Sequence, residues 1–402
     1  MAATSISSAS ANVHVASTEA QGRYLLAARP IAAGEVLLAE APAAWWLDAR
    51  RRGDTCARCL GDKATTACVD CGGCAWCSDV CRQEDAARHA FCCPFMRASE
   101  ASLQQIGQGS DGTRTGEVGA AAEEAYEEAT LLACVAHTAE LRAIAPSAFA
   151  DVWAMHADLA RLTAEEEGRC ARVHATCTAV SNGGSPVDLD FVRGACARDK
   201  ANGFALTSVA GDDAREHREG AYAFYPALAL ANHSCLPTAA RFDDLEAPPP
   251  GAASSSSAAR FPIDATVGLL RTAALESPAL LARPPCSLAT RYVALQALDA
   301  GSEIAISYTP LDVTVAPRSD RLTEEYGFGC GCARCLVERQ AEAHHGADGA
   351  DHSHSHSVAD HEPGVDVTYV NLFVLKYCCA RCSGTLAPLA SSAQVGGGEG
   401  VA

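Results

Sequence analysis

The sequence predicts an α+β fold, rich in strands, that a cysteine-rich module and a helical segment interrupt. Three observations predict it. Within residues 21–50 and again within 201–310, short apolar stretches flank Gly-containing turns, which indicates strand–turn–strand units. Between them, cysteines are concentrated at 56–93. Helix-forming residues follow at 119–200, where apolar side chains recur every three or four positions, as on amphipathic helices.

The bulk composition is that of a globular protein with room for two or three domains. The chain has 402 residues, of which 49% are hydrophobic and 20% charged. The net charge of −18 disfavours nucleic acid as a partner, because a phosphate backbone attracts basic surfaces. No apolar run reaches the about 18 residues that a membrane-spanning helix needs, so no membrane association is expected. We expect a monomer.

The cysteine content indicates the compartment. The chain has 21 cysteines, but it is long and lacks a signal-peptide pattern at its start. Disulfide scaffolds are short and secreted. The thiols are therefore expected to be reduced and largely zinc-bound, in the cytoplasm, the nucleus or both.

Four segments are expected to lack a packed core. Residues 1–20 are rich in Ser, Ala and Thr and predict a disordered N-terminus, with a transit peptide as the alternative. Gly, Ser, Gln and Thr at 98–118 predict a loop, and the Pro-, Ala- and Ser-rich stretch at about 246–260 predicts an inserted surface loop. Six histidines within 341–364 predict a linker that titrates near neutral pH, with weak metal binding as the alternative.

Eight possible zinc ligands occur in four closely spaced pairs between residues 56 and 93. Two pairs are Cys-x2-Cys, one is Cys-x3-Cys and one is His-x3-Cys. A closed structural zinc site takes four thiolate or imidazole ligands, so the block predicts two zinc ions that fold the module. If the pairs interleave, the two ligand sets are Cys56, Cys59, Cys77 and Cys81, and Cys68, Cys71, His89 and Cys93. Cys74 and Cys92 are then left as spare thiols.

A third zinc site is predicted from cysteines outside this block. Cys330, Cys332 and Cys335 lie close together in the sequence and lack a fourth ligand. Cys235, which ends an Asn-His-Ser-Cys motif, could supply it.

Whether the tail at 365–402 binds a fourth zinc ion is left open by the sequence. It contains Cys379-x2-Cys382, which resembles half of a zinc ribbon without its partner pair. Cys378 lies beside this pair and could substitute for one of its members.

Taken in order, these motifs resemble the SET and MYND domain proteins, a family of protein-lysine methyltransferases. The matching pieces are GRYLLAARPIAAGEV from Gly22, the cysteine block, the helical segment, ANGF at 201–204, YPALALANHSC at 225–235, GSEIAISY at 301–308 and YGFGCGCARC at 326–335. The resemblance implies a β-rich SET fold split by a MYND zinc finger and a helical insert. Residues 21–50 and 201–310 are then its two parts, followed by a cysteine-rich post-SET zinc site at 318–336.

The resemblance also implies an activity. It is protein-lysine N-methyltransferase activity with S-adenosylmethionine and three zinc ions, on an exposed lysine of a histone or another protein. The residues at the family's cofactor-binding positions are Gly22, Arg23, Asn202, Asn232, His233, Tyr308 and Phe328. Those at the methyl-transfer point and along the lysine channel are Tyr308, Tyr326 and Phe204. The third zinc site of the family matches Cys235, Cys330, Cys332 and Cys335.

Three departures from the family pattern keep a second function open. Tyr24 stands where many relatives have a second glycine, Thr238 where an asparagine is usual, and Ser302 where an acidic residue is usual. A side chain at Tyr24 limits the approach of the backbone to a cofactor. The alternative is a non-catalytic adaptor, in which the MYND finger binds proline-containing peptides and the SET part is a degenerate scaffold.

Overall fold

The computed structural model describes residues 11–19, 21–61, 64–108, 119–181, 187–209, 217–243 and 288–347. Over these residues the chain divides into two compact units. The first unit includes Glu40–Ala229 and Asp243–Thr290. The second includes Ser10–Ala39, Leu230–Phe242 and Arg291–Ala402. Each unit is therefore assembled from segments that are distant in sequence.

The described residues mix strands and helices, which confirms the α+β part of the predicted fold class. The strands are β1 (Val13–Thr18), β2 (Gly22–Ala27), β3 (Val36–Glu40), β4 (Ala44–Leu47), β5 (Thr66–Ala67), β6 (Ala75–Trp76), β7 (Phe204–Val209), β8 (His217–Phe224), β9 (Asn232–His233), β10 (Ala239–Asp243), β11 (Thr290–Ala294) and β12 (Glu303–Ile306). The α-helices are α1 (Asp79–Gln108), α2 (Ala120–Ile144), α3 (Pro146–Trp153), α4 (Ala164–Val180), α5 (Leu189–Asn202), α6 (Val315–Arg321) and α7 (Ala333–Ala347).

The second unit is built mainly on two sheets. The first has the strand order β1-β2-β12-β9, and the other, apart from its terminal residues, has the order β10-β11-β3. In the first sheet β12 runs antiparallel to β2 but parallel to β9. Leu25 of β2 and Ile304 of β12 pair and are both fully buried. Burial of such apolar side chains holds the neighbouring polar motif at the sheet's edge in place.

The first unit joins a sheet of order β4-β8-β7 to a group of helices. Its core includes Trp46, whose ring lies 4.9 Å from that of Phe224. Helix α2 buries a nearly continuous run of small and apolar residues between Ala129 and Leu141, and it contacts both α1 and β4. The helix after it begins at Pro146, because proline is tolerated in the first turn, where its missing N–H would have no partner within the helix.

Three segments contain more regular structure than the sequence predicts. The N-terminal segment predicted to be disordered includes β1, which pairs with β2 along its whole length. The segment predicted as a loop at 98–118 continues helix α1 as far as Gln108, and the predicted linker at 341–364 continues α7 as far as Ala347. Strand pairing overrides composition in the first case. In the other two, helix formers such as Ala, Glu and Gln extend a helix that is already nucleated.

Several predictions fall outside the described residues. These are the transit peptide or disorder of residues 1–10, the surface insert at about 246–260, the remainder of the His-rich segment, and Cys378, Cys379 and Cys382. Among the helices that the structure does describe, none combines the length and apolar character needed to cross a membrane.

Candidate active site and metal centres

A parallel strand pair places the Asn-His motif beside Tyr308. In the pairing of β9 with β12, Asn232 lies opposite Ala305 and His233 opposite Ile306. Because Tyr308 follows β12 by two residues, its backbone N–H donates to His233 Nδ1 at 2.9 Å. Its hydroxyl donates to the Ala231 carbonyl at 2.7 Å. The backbone and the side chain of Tyr308 are thus both held by the segment that carries the motif.

Four aromatic rings surround this contact. They are His233, Tyr308, Tyr326 and Phe328, and in five of their six pairs the ring centroids lie between 4.9 and 6.4 Å apart. The tightest pair is Tyr308 with Tyr326, at 4.9 Å. Phe328 remains 37% exposed, so the group presents one open ring face to solvent. The arrangement suits a flat or cationic ligand, since aromatic faces stack on rings and attract cations.

A local distortion of the backbone brings Tyr326 and Phe328 to the group. Leu322–Tyr326 form a π-helical turn, a rare element that occurs frequently at functional sites. The turn ends at Gly327, whose φ of +80° lies in the left-handed region that glycine adopts without cost. Its N–H donates to the Thr323 carbonyl at 3.1 Å. Gly327 thereby turns the backbone between Tyr326 and Phe328, so that both rings belong to the same site.

The titratable groups of this site are neutral near pH 7. Burial lowers the pKa of His233 to about 4, against a raising effect of the Cys332 sulfur, and the Arg318 charge lowers it further. Burial, and after it Tyr326, raises the pKa of Tyr308. Burial also raises the pKa of Tyr326, as does Glu325. A neutral imidazole can accept the Tyr308 N–H, and the two phenols retain their hydrogens.

Polar side chains tie this strand pair to its neighbours. The Asn232 amide donates to Glu303 Oε1 at 3.1 Å. The Thr238 hydroxyl donates to the Glu303 carbonyl at 3.0 Å and accepts from the Ala305 N–H at 2.9 Å. Thr238 therefore bridges two positions of β12, although it departs from the asparagine of the family pattern.

A group of four cysteines adjoins the aromatic rings. The sulfur atoms of Cys235, Cys330, Cys332 and Cys335 lie within 4.8 Å of one another and could hold one metal ion. Cys235 and Cys335, 100 residues apart in sequence, have their sulfurs 3.4 Å apart. Tyr308 and Tyr326 pack against the core that these cysteines form with Val315 and Leu322. A metal here would fasten the segment that carries Tyr326 and Phe328 to the Asn-His motif.

A buried Arg–Glu–Arg cluster supports the four cysteines. The Arg318 guanidinium donates to Cys235 Sγ at 3.3 Å and forms an ion pair with Glu338. Arg334 Nε donates to the other oxygen of Glu338 at 2.6 Å. All three side chains are essentially inaccessible to solvent. Donation to sulfur favours the thiolate, the form of cysteine that binds metal.

Removing the shared carboxylate should destabilise the protein. Replacing Glu338 by Gln leaves two buried guanidinium groups without their anion, and we expect a loss of about 3–5 kcal/mol in the free energy of unfolding. Urea unfolding measures this loss. The control is Glu325→Gln, since Glu325 pairs with Arg321 where both side chains are 46% exposed and such pairs contribute under about 1 kcal/mol. Equal effects of the two substitutions would contradict the expected role of Glu338.

Two further ligand groups lie in the first unit, around the β5–β6 hairpin and the start of α1. The interleaved sets predicted from the spacing are brought together, each with its ligand atoms within 4.8 Å: Cys56, Cys59, Cys77 and Cys81, and Cys68, Cys71, His89 and Cys93. Cys77 Sγ lies 3.6 Å from the sulfurs of both Cys59 and Cys81. These separations are close to the about 3.8 Å between sulfurs around a tetrahedral zinc ion with 2.3 Å bonds.

The remaining predicted cofactor and channel residues are divided between the two units. Gly22 begins β2 with φ of +67°, and Arg23 is paired with Ser17 across the hairpin. Asn202 and Phe204 belong to the first unit. The Asn202 amide donates to the His156 carbonyl at 2.8 Å, and the Phe204 ring lies 5.3 Å from that of Tyr225. The predicted roles of these four residues stay predictions.

At two of the three positions that depart from the family pattern, the residue makes ordinary backbone contacts with a neighbouring strand. Tyr24 is half-buried within β2 and pairs with Ala16 of β1. The Ser302 carbonyl accepts the Ala27 N–H at 2.9 Å. Both positions are therefore occupied by residues that support strand pairing.

One polar cluster was not predicted from the sequence. Cys92, taken there as a spare thiol, is grouped in the structure with His137 and Glu140 of α2. The available signal was the i, i+3 spacing of His137 and Glu140, which puts both on one face of a helix. The sequence does not show that this face of α2 packs against α1.

Comparisons with known proteins relate the chain to a methyltransferase. No family model matches it. It is 24% identical over 340 residues to the Histone-lysine N-methyltransferase ASHR2 of Arabidopsis thaliana, an alignment that covers 81% of this chain and 72% of that protein. The solved SET domain of LSMT bound to lysine and AdoHcy matches 79% of this chain at 12% identity, with a TM-score of 0.33. This chain spans about half, 53%, of that structure's chain.

Proposed function

We propose that this chain is an S-adenosylmethionine-dependent protein-lysine N-methyltransferase of the SET and MYND type. The single observation that carries the proposal is the anchoring of Tyr308 by the Asn-His motif within a half-open group of aromatic rings. The 24% identity to a histone-lysine methyltransferase supports the same reaction class. The substrate is a protein with an exposed lysine, on a histone or elsewhere.

The residues present fit the cofactor. The exposed ring of Phe328 offers a face on which an adenine can stack, and the surrounding rings favour a sulfonium cation. Neutral His233 and half-buried Asn232 supply polar groups without an opposing positive charge. Gly22, Arg23 and Asn202 are assigned to the cofactor by the family pattern.

S-adenosylmethionine supplies an electrophilic methyl group when it is bound. In such a reaction the amine nitrogen would take the methyl group as its bond to sulfur breaks, so the ammonium would first have to give its proton to solvent. Lysine starts with a pKa near 10.4, so the site must favour the neutral amine. Aromatic walls from Tyr308 and Tyr326 would exclude water from the amine, which lowers its pKa. The family pattern assigns Phe204 to the lysine channel as well. Alignment of nucleophile and methyl group is worth about 7–11 kcal/mol in favourable cases.

The hydroxyl of Tyr308 has a defined task in this arrangement. Its hydrogen is committed to the Ala231 carbonyl, which orients the oxygen lone pairs. Those lone pairs can accept hydrogen bonds from the amine and weaker C–H contacts from a polarised methyl group. Because the pKa of Tyr308 is raised, the oxygen keeps its hydrogen throughout the neutral pH range.

The three cysteine-rich groups fit structural zinc. Their donor sets are four thiolates, three thiolates with an imidazole, and four thiolates, which are the sets that closed zinc sites use. The two groups in the first unit would fold the MYND module. The third would set the positions of Tyr326 and Phe328. Short proline-containing peptides are the proposed partners of the MYND module.

Cofactor binding separates this proposal from the adaptor alternative. Calorimetry of the purified chain with S-adenosylmethionine should record saturable heat, and labelled methyl groups should reach lysines of histones or of a proteome extract. His233→Ala should weaken cofactor binding at least about tenfold, because it removes both a ring of the site and the acceptor of the Tyr308 N–H. His14→Ala, at an exposed position of β1 in the same unit, is the control. An absence of both heat and transfer with the unmodified chain would favour the adaptor.

A further inference from the structure

A fourth cluster of metal-ligating side chains lies between helices α1 and α2, apart from the three cysteine-rich groups. Cys92 projects from α1, and His137 and Glu140 project from α2. Their ligand atoms lie within 4.8 Å of one another, the same compactness as in the other three groups. Cys92 is 1% exposed, Glu140 5% and the His137 side chain 11%, so the cluster is largely shielded from solvent.

The geometry of the cluster is difficult to satisfy with hydrogen bonds. His137 Nδ1 lies 3.2 Å from Cys92 Sγ and 3.5 Å from Glu140 Oε2. A ring nitrogen carries either one hydrogen or one lone pair in its plane, so the thiol and the carboxylate compete for the same atom. The 3.5 Å contact is also longer than a good N–H···O bond.

The same distances fit a shared ion. Zinc bond lengths of about 2.3 Å to sulfur, 2.0–2.1 Å to nitrogen and 2.0–2.2 Å to oxygen place tetrahedral ligand atoms about 3.4–3.6 Å apart for the S–N and N–O pairs. The two measured separations, 3.2 and 3.5 Å, lie close to these values. A single ion can bind the nitrogen, the sulfur and the oxygen at once, which a single proton cannot.

The two acidic side chains of the cluster would be stabilised by a cation. Two arginines are near, and each has another carboxylate partner: Arg88 Nε lies 2.7 Å from Asp85 Oδ1, and Arg52 lies 3.3 Å from Glu100. Arg88 also acts electrostatically on Glu140, so it is shared between two carboxylates, and burying a charge that is only partly compensated is costly. Together with a Cys92 thiolate, the carboxylate contributes two negative charges, which one divalent ion would cancel.

A small cavity lies beside His137. A cavity of about 20 Å³ is lined by His137 together with Arg52, Asp85, Arg88 and His89. This volume accommodates one water molecule, which needs about 10–15 Å³ by the same measure.

We propose that Cys92, His137 and Glu140 form a further zinc site that joins α1, the helix of the zinc module, to α2 of the helical insert. A mixed sulfur, nitrogen and oxygen donor set suits zinc, which accepts all three. Cys92 is the immediate neighbour of Cys93, and adjacent residues point about 100° apart around a helix. Helix α1 thereby contributes ligands to three different ions: Cys81 to one cysteine-rich group, His89 and Cys93 to another, and Cys92 to the proposed site.

The most direct test is ¹¹³Cd NMR of the full chain, produced in medium that contains this isotope. Cadmium replaces zinc, and its resonance moves to higher field as sulfur ligands are replaced by nitrogen and oxygen. We expect one resonance well upfield of those from sites with three or four thiolates, because this site has a single thiolate. The absence of such a resonance from the folded chain would overturn the proposal.

Metal analysis provides a second readout. Glu140→Gln, which keeps the side-chain volume but removes the anionic ligand, and Cys92→Ser should each contain one zinc ion fewer per chain than the unmodified protein. Cys177→Ser, at a fully buried thiol of α4 outside all four groups, should contain as many as the unmodified protein. An unchanged zinc count in folded Glu140→Gln would show instead that the three side chains form a hydrogen-bonded cluster. Neither measurement depends on methyltransferase activity.

Discussion

Replacing Tyr308 by phenylalanine should reduce the rate of methyl transfer about a hundredfold or more. The substitution removes a hydroxyl whose hydrogen bond to the Ala231 carbonyl fixes its orientation. Loss of one preorganised polar group at a transition state typically costs about 10²–10³ in rate. The ring and its packing against Tyr326 are retained, so folding and zinc content should not change. Steady-state assays with labelled cofactor measure the loss, and calorimetry checks that the cofactor still binds.

The matched control for this substitution is Tyr222→Phe. Tyr222 also has a hydrogen-bonded hydroxyl, which lies 3.5 Å from Asp48 Oδ2 in the first unit. Its removal should leave the rate within about twofold. If Tyr308→Phe keeps full activity, the hydroxyl has no part in the reaction. If both variants lose activity equally, the effect is one of folding.

If the four-cysteine group holds the proposed zinc ion, its loss should unfold the part of the second unit that carries Tyr326 and Phe328. Structural zinc contributes apparent binding free energies of about 10–16 kcal/mol in small zinc modules, as much as the about 5–15 kcal/mol that stabilises a whole domain. Cys332→Ser is the appropriate variant. Cys332 is the least buried of the four, so little packing is lost with the ligand. We expect one zinc fewer per chain, a lower melting temperature and no cofactor binding.

Near-ultraviolet circular dichroism gives the most specific readout of this effect. The signal from Tyr308 and Tyr326 depends on their fixed rings, and it should diminish in Cys332→Ser and after treatment with a strong chelator. Cys177→Ser, which removes a buried sulfur from the first unit, should retain the signal. A Cys332→Ser protein with unchanged melting temperature and tyrosine signal would mean that the four cysteines do not depend on a metal.

Local patterns predicted those parts of the structure that depend on short-range chemistry. The Cys-x2-Cys and His-x3-Cys spacings anticipated which atoms come together in the zinc module, because ligands in one turn reach one point. Strands β2, β3, β11 and β12 followed from alternating apolar residues around glycine-containing turns. The association of Cys235 with Cys335 was predicted differently, because three closely spaced cysteines lacked the fourth ligand of a zinc site.

The remainder depended on contacts between distant segments. Strand β1 has an ordinary Ser- and Thr-containing sequence, and its pairing with β2 becomes apparent only in the folded chain. Likewise, Cys92 meets His137 because α1 packs on α2, and no local pattern encodes that packing. Pro94 lies inside α1, which continues through it to Gln108, since packing can outweigh the loss of one backbone hydrogen bond.

The ends of β10 and β11 offer a practical place to modify the protein. These neighbouring strands are additionally joined by a hydrogen bond of 2.7 Å from the Thr290 hydroxyl to Asp243 Oδ1. The end of β10 and the start of β11 are thus held together by contacts that do not involve the residues between them. The free-energy cost of closing a loop grows only logarithmically, by about 0.6 kcal/mol for each doubling of the loop length. A reporter domain or affinity tag inserted between Asp243 and Thr290 should therefore be tolerated.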